Sequence, residues 1–481
     1  MECPQELDVL QAALNAAIDA IREELSTHNL PPLSTSGHTP HPLDDPQYTP
    51  SPRMFEARKL ALGECQADER TRWDGSNIFP RISLASMGQL RNLLQLPFEK
   101  VLQQSFGIYD TACMDIVVRT GILDMISDHP CRGYSVPEIA KALSLDPRKV
   151  ATVMRYLAAQ GWFLEHSPDT FSISRAGLEL RRGQHGWNWA RTPRTKVAGS
   201  LLEMLTNPES KMSSSPLDTA FQLAFQTSLP VFNYLQQNPC EMEQWSGSVR
   251  AYSAFHERPL MTDYPWEKLT PGIFVDCGGG QGHLSVSLSK RFKDSSFVVQ
   301  DLPEMLPIAR RHILQDSEAG SAFEDGRLTL EAHDFFQPQP RVADVYILKH
   351  ILHDWPDSVC VKILENVVKG NSDATILIID YIAMPSTYSC RVEGNTTVTL
   401  QDLAGSSVYD QLITPPTVIP KNFGVDSLGP LGLGVHMLAL YNACERTLVE
   451  WEEIITTAGL CVNAVKALRT SVSVLECRVK K

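Results

Sequence analysis

The chain has 481 residues, 43% hydrophobic and 21% charged, ordinary values for a soluble globular protein of two or three domains. A formal net charge of −13 argues against a nucleic-acid polyanion as the main partner, and no apolar run approaches the roughly 18 residues that a membrane span needs. The 11 cysteines include no C-x-x-C pair and no Cys/His cluster at zinc spacing. They read as reduced thiols of a cytoplasmic protein without a metal site. The polar start Met1-Glu2-Cys3-Pro4 predicts no secretory leader, which makes the sequon Asn395-Thr396-Thr397 incidental.

Leu7, Leu10, Leu14, Ile18, Ile21 and Leu25 recur at spacings of three and four and predict an amphipathic helix over 1–25. Its apolar stripe needs a partner, either its own domain or another subunit. Residues 26–53, rich in Pro, Ser, Thr and His, read as a linker. Helical patterns resume from 54. One helix is expected over about 110–127. A second runs from Ser135 to Leu145, with Ser135 and Glu138 as a capping box. A third starts at Asp146-Pro147 and turns Val150, Val153, Met154 and Leu157 inward. Trp162-Phe163-Leu164 and Phe171-Ser172-Ile173 then flank a Ser-Pro-Asp turn. Three helices and a hairpin make a winged-helix pattern. Arg148, Lys149 and Arg155 on the third helix permit DNA binding, but with the overall acidity a packing or dimerisation module is the preferred reading.

Residues 199–265 read as an apolar helical connector. From 266 the pattern alternates between strand and helix. Ile273–Val275, Phe297–Val299, Leu328–Leu330, Val345–Leu348 and Ala374–Ile379 predict a doubly wound parallel sheet. Cys461–Val465 and Val472–Cys477 close it as an antiparallel pair. Residues 386–434, rich in Pro and Gly, are expected to form a long loop serving as lid or substrate wall. The units are therefore a terminal helix (1–25), a linker (26–53), a helical and winged-helix domain (54–198), a connector (199–265) and an α/β domain (266–481).

In the α/β domain, Asp276-Cys277-Gly278-Gly279-Gly280-Gln281-Gly282 follows a strand and opens a helix. Glycines there let the backbone turn sharply and approach a ligand closely. Asp301 ends the next strand, where a carboxylate can accept bonds from both hydroxyls of a ribose. A third strand ends in His333-Asp334-Phe335-Phe336, an acid and an aromatic suited to an adenine's amine and ring face. Gly278, Gly279, Gly280, Asp301, Asp334 and Phe335 thus outline a nucleoside site. No lysine follows the glycines to hold phosphates.

The fourth strand leads into Lys349-His350-Ile351-Leu352-His353-Asp354-Trp355. Acids recur at later junctions, Asp380 at the end of the fifth strand and Glu445 before a later helix. A phenol, with a pKa of about 10, is a poor nucleophile near neutral pH. A histidine can remove its proton during attack, and a carboxylate on the other ring nitrogen fixes the tautomer and stabilises the imidazolium. His353 is the candidate base, with Asp380 and Glu445 as candidate orienting acids. Trp355, Met437 and Asn442 are candidates for the wall of an acceptor pocket, and Met437 reads equally as a core residue.

The glycine segment resembles the motif of class I S-adenosylmethionine-dependent methyltransferases. His353-Asp354-Trp355 and Glu445-Arg446-Thr447 resemble the general-base and second acidic motifs of the plant caffeic acid O-methyltransferase-like family, in particular its fungal secondary-metabolite branch. Asp380 stands where that family usually has a glutamate. The resemblance covers about residues 100–481. It implies a Rossmann-like α/β fold with an N-terminal winged-helix dimerisation domain, S-adenosylmethionine as cofactor contacted by Lys349, a small aromatic acceptor, no metal, no nucleic acid or membrane partner, and a homodimer. Methylation at nitrogen or carbon stays open from the residues. So does a DNA-binding regulator with a degenerate methyltransferase domain, although a sensor has no use for a general base.

Overall fold

The computed structural model describes residues 97–130, 132–386, 409–410 and 420–480, and before residue 97 only positions 15, 19, 22, 23, 25–31, 42, 85 and 88. Of the helix expected over 1–25, positions 15, 19, 22, 23 and 25 are described, and all are helical. Its other residues, most of the 26–53 linker and nearly all of 54–96 lie outside the described residues.

A first unit follows from local signals. Two β-region caps start helices where the sequence places them. Ser135 accepts from the backbone of Glu138, whose side chain accepts in return from Ser135, and this box opens the helix Val136–Leu143. Asp146 accepts from Lys149 N at 3.0 Å and opens Pro147–Ala159. Strand β1 (Tyr134–Ser135) pairs antiparallel with β3 (Thr170–Ile173), which pairs in turn with β2 (Phe163–Ser167). Val117, Ile122, Ile139, Val150, Met154, Leu157, Phe163 and Phe171 form one core between helices and hairpin. The helix expected over 110–127 is two, Ile108–Arg119 and Ile122–Ser127, because Gly121 takes the left-handed conformation (φ +84°) and breaks it. On the third helix, Arg155 donates to Asp169 at 2.6 Å within the unit itself.

The second unit is a mixed sheet in the order β6-β5-β4-β7-β8-β12-β11-β9. Strands β4 (Ile273–Cys277), β5 (Ser296–Asp301), β6 (Leu328–Ala332), β7 (Val345–Lys349) and β8 (Thr375–Ala383) run parallel. Short β9 (Tyr409–Asp410) pairs parallel with β11 (Leu460–Ala467), and β10 (Arg446–Thr447) with the end of β8. Strand β12 (Val472–Val479) is antiparallel to both β8 and β11. Both faces of the parallel strands are covered, as such sheets require. Along β8, Ile376, Ile378 and Ile382 face the helices Asp357–Val368 and Leu448–Thr457, while Leu377 and Ile379 face the opposite layer with Leu288 and Trp266. A period of two then places Asp380 on the same face as Ile378, at the carboxyl end of the sheet. The order reverses between β5-β4 and β4-β7, and the crevice at such a point is where these sheets hold ligands.

Helices from the connector cover that crevice. Val197, Phe221, Val231, Leu235, Met437 and Leu440 form a further core that joins the connector to the helix Leu428–Tyr441. This helix corrects the expected 386–434 loop, whose last residues are helical. Pro430 falls in the first turn, where its missing N–H costs nothing. Gly434 lets the helix approach Glu445, since a Cβ there would lie 3.3 Å from Glu445 Cγ. The lid reading of 387–408 and 411–419 lies outside the described residues. Among the described residues no helix is long and apolar enough to cross a membrane. The capping box has a measurable weight: Ser135→Ala should cost about 1 kcal/mol of unfolding free energy in chemical denaturation.

Candidate functional site

The glycine loop lies at the carboxyl end of β4. Gly278, Gly280 and Gly282 all have positive φ (+69°, +58° and +77°), which side chains rarely adopt. Gly278 is also hemmed in, with the position of a Cβ 2.6 Å from Ile351 Cδ1 and 3.3 Å from Phe335 Cε1. Asp301 at the end of β5 holds the loop: Oδ2 accepts from Gly280 N at 2.8 Å and Oδ1 from Leu302 N at 2.7 Å. Burial raises its carboxyl's pKa, and these two bonds oppose the rise. Each oxygen keeps a lone pair, so a ribose diol still finds two acceptors. The end of β6 is tied in by His333 N donating to Asp301 O at 3.0 Å, and Asp334 accepts from Phe336 N at 3.0 Å in a local turn. Gly278, Gly279, Gly280, Asp301, Asp334 and Phe335 therefore border one crevice. The open cradle and the unfilled acceptor capacity of Asp301 fit a nucleoside.

Lys349 ends β7 and donates to Ser253 Oγ at 3.1 Å on the long helix Pro239–Asp263. Burial lowers its pKa, while Asp276, Glu257 and Asp380 support its charge. One residue on, His350 turns the chain with φ +53°, and a short turn of helix, Leu352–Asp354, carries His353.

His353 is buried, and its Nδ1 lies 2.8 Å from Glu445 Oε1 across 92 residues of sequence. Asp354 Oδ1 lies 3.5 Å from Nε2, and Asp380 Oδ1 4.0 Å from Nδ1. Burial works against a charged His353, but Asp354, Glu445 and Asp380 outweigh it and raise the pKa. Asp380 is fully enclosed. Burial raises its pKa, Glu445 and Asp354 add to this, and His353 and Arg446 oppose it. The spacing from His353 to Glu445 is set by Arg446. Its buried guanidinium donates to the carbonyls of Leu352 and Trp355 and to Asp357 Oδ1, so the loop bearing the histidine is fastened to the strand that follows the acid. His350, His353 and Asp380 bring one nitrogen or oxygen each within 4.8 Å of one another. Since His353 Nδ1 is already bonded to Glu445, the set suits shared protons better than a cation.

An apolar cavity is lined by Phe221, Phe225, Tyr234, Trp245, His436 and Leu440, among others, and none of the cluster's residues lines it. Phe221, Phe225 and Tyr234 contact one another at ring separations of 4.7–5.3 Å. Two helices run from it to the cluster. Pro239–Asp263 carries Trp245 at the cavity and Tyr252 against His350, a rise of about 10 Å over seven residues. Leu428–Tyr441 carries Leu440 at the cavity and ends just before Glu445.

The three pocket candidates are placed apart. Trp355 packs its ring on Phe336 at 4.9 Å, on the crevice side. Met437 is buried in the core that joins connector and helix. Asn442 caps that helix and donates to the carbonyls of Ser215 and Asp218. Sequence reasoning missed His350, Tyr252, Ser253, His256 and the clamp of Arg446. The only signal was polar residues at i and i+4, Tyr252/His256 and Ser253/Glu257, on a helix otherwise weakly patterned.

Residues 209–403 match the family model described as an O-methyltransferase domain. The chain is 28% identical over 384 residues to 3-O-methyltransferase 2 of Phanerochaete chrysosporium, covering 78% of this chain and 81% of the relative. Among solved structures it resembles a pericyclic reaction enzyme, with TM-score 0.64, 21% identity and coverage of 82% of this chain and 93% of the other. It also resembles the O-methyltransferase NcsB1 from neocarzinostatin biosynthesis, solved with S-adenosyl-L-homocysteine and 1,4-dihydroxy-2-naphthoic acid, with TM-score 0.56, 22% identity and coverage of 81% and 98%. Likeness at that identity shows the fold, and a fold does not dictate its chemistry. The detailed reaction has to be argued from the site.

Glu445 favours the protonated form of His353, so removing its charge lowers the histidine's affinity for protons. Glu445→Gln should therefore move the acid limb of the kcat/KM profile to lower pH, measured as methyl transfer across the pH range.

Proposed function

We propose that this enzyme methylates a hydroxyl group of a small aromatic, phenolic metabolite, with His353 as general base and no metal ion. The observation that carries the reading is the bond from His353 Nδ1 to Glu445 at 2.8 Å, made beside the glycine crevice. That bond spends the Nδ1 hydrogen and leaves Nε2 as proton acceptor. The aromatic cavity, joined to the cluster by the helices that carry Trp245 and Leu440, supports a flat, apolar acceptor.

S-adenosylmethionine supplies an electrophilic methyl group on a sulfonium when bound. Gly278, Gly279, Gly280 and Asp301 would hold its nucleoside, with Asp334 and Phe335 at the base. The chain's own part is positioning and proton removal. The acceptor hydroxyl would give its proton to Nε2 of His353 as it takes up the methyl group. Glu445 stabilises the imidazolium that results. Alignment of this kind supplies up to about 7–11 kcal/mol of the barrier.

The test uses purified protein, methyl-labelled S-adenosylmethionine and a panel of phenols, with His353→Ala beside wild type. Labelled methyl ether from wild type and a loss of about 10² or more in the variant is the expected result, unchanged by a chelator. Equal product from both proteins would reduce His353 to a structural residue. If neither yields product, a titration with S-adenosylmethionine decides, and no binding at millimolar concentration would sink the reading.

The homodimer is part of the same proposal. Val101, Leu102, Phe106, Ile108 and Tyr109 are exposed on the adjoining helices Pro97–Phe106 and Ile108–Arg119. A run of large apolar side chains in water calls for a partner, and a second copy is the occupant proposed. Light scattering should give a dimer for wild type and a monomer for the double variant Leu102→Glu/Phe106→Glu.

A further inference from the structure

We propose that Asp380 serves as a neutral carboxylic acid whose proton is donated to His350, and that His350 is thereby a positioning residue for the base. The inference rests on the reading of His353 as base.

The argument is hydrogen-bond accounting. Neither oxygen of Asp380 has a hydrogen-bond partner, although the side chain is fully enclosed. An ionised carboxylate buried without donors is strongly disfavoured. Two nitrogens are within reach, His350 Nδ1 at 3.4 Å and His353 Nδ1 at 4.0 Å. The single hydrogen of His353 Nδ1 goes to Glu445 at 2.8 Å, so it cannot also serve Asp380. Both ring nitrogens of His350 lack a partner as well. One proton between Asp380 and His350 satisfies an atom of each residue and removes a negative charge from beside Glu445 and Asp354. Rotation of either side chain by a few tenths of an ångström closes 3.4 Å to a normal bond.

His350 is held for this role. Its backbone has φ +53°, a conformation to which histidine is better suited than most residues and which is kept where the surroundings dictate it. Its ring is sandwiched by Tyr252 at 5.1 Å, His256 at 5.6 Å and His353 at 5.3 Å. His256 is fixed in turn by Thr470 Oγ1. Burial, Lys349, His353 and His256 all hold His350 in its neutral form, so it can accept a proton bond and not a net charge.

The groups facing Asp380 come from every neighbouring element. They are Lys349 and His350 at the end of β7, His353 and Asp354 on the short helix, Glu445 and Arg446 before and on β10, Tyr252 on the long helix and Cys360 on Asp357–Val368. Three ionised acids around His353 would keep it protonated and unable to accept. With the proton on Asp380, only Glu445 and Asp354 act on the histidine, and its affinity for protons falls.

Two measurements test the assignment. In the infrared spectrum of protein with isotopically labelled aspartate, a protonated-carboxyl C=O band should be present at neutral pH, absent in Asp380→Asn and shifted in His350→Phe. Absence of the band from wild type overturns the proposal. In the labelled-methyl assay, Asp380→Asn, which keeps a donor for His350, should lower kcat by about fivefold or less and hold the acid limb, against about 10² for Glu445→Gln. A loss of about 10² in Asp380→Asn, with the limb moved down by about one pH unit, makes Asp380 an ionised partner and overturns it. His350→Phe should lower kcat with little change in KM, and His350→Gln should restore it. Stoichiometric inhibition by Zn²⁺ that His350→Gln relieves would assign the cluster to a metal ion instead. If His353→Ala proved fully active, the base reading would fall while the infrared band still reported on Asp380.

Discussion

The site depends on a buried guanidinium. Arg446 binds two backbone carbonyls of the loop that carries His353 and lies next to Glu445 in sequence. The histidine and its acid come from segments separated by 92 residues and by several elements of the sheet. Without a rigid tie, the distance between them would vary with every motion of the loop. Arginine suits the task because its planar fork serves several acceptors at once and stays charged when buried. Asp357, at the start of the next helix, neutralises that charge at 2.8 Å. One side chain therefore sets the geometry between His353 and Glu445.

Around this tie the architecture divides the labour. The parallel strands β4, β5 and β6 end at the crevice that suits a nucleoside, and β7 and β8 end at the titratable cluster. The two sites are neighbours because the strands are neighbours. Ile351 shows how tight the junction is. It follows His350 directly, and its Cδ1 occupies the space beside Gly278. Helices from outside the sheet add the aromatic cavity, and they bring Tyr252, Ser253 and His256 onto the ends of β7 and β8.

Much of this was legible in the sequence, for identifiable reasons. Each buried strand is a short run of β-branched and aliphatic residues, so Ile273–Val275 and Val345–Leu348 fall inside β4 and β7. The caps at Ser135 and Asp146 are local bonds and needed no tertiary information. Glycine with positive φ announces itself in the loop at 278–282 but not at Gly121, where it interrupts an apolar pattern that otherwise continues. The helix Leu428–Tyr441 was hidden by its Pro and Gly content, since its stability comes from packing on the connector and not from propensity. Asp301 was placed correctly at its strand end, but its bonds to Gly280 and Leu302 depend on the fold of the loop. The gathering of His350, Tyr252 and His256 around Asp380, itself a sequence candidate, was invisible for a different reason. It is assembled from β7, β8 and a helix about 100 residues earlier in the chain, and nothing in any one segment signals the others.

Gly434 has a wider consequence. The helix Leu428–Tyr441 rests directly on Glu445 at this glycine, and the same helix offers His436 and Leu440 to the aromatic cavity. On the proposed reading, a molecule too broad for the cavity would push that helix, and the push would arrive at Glu445, the partner of His353. Poorly fitting acceptors would then be discriminated in the speed of turnover more than in how tightly they are held, because the packed helix acts as a mechanical gauge between the shape of the guest and the alignment of the proton acceptor.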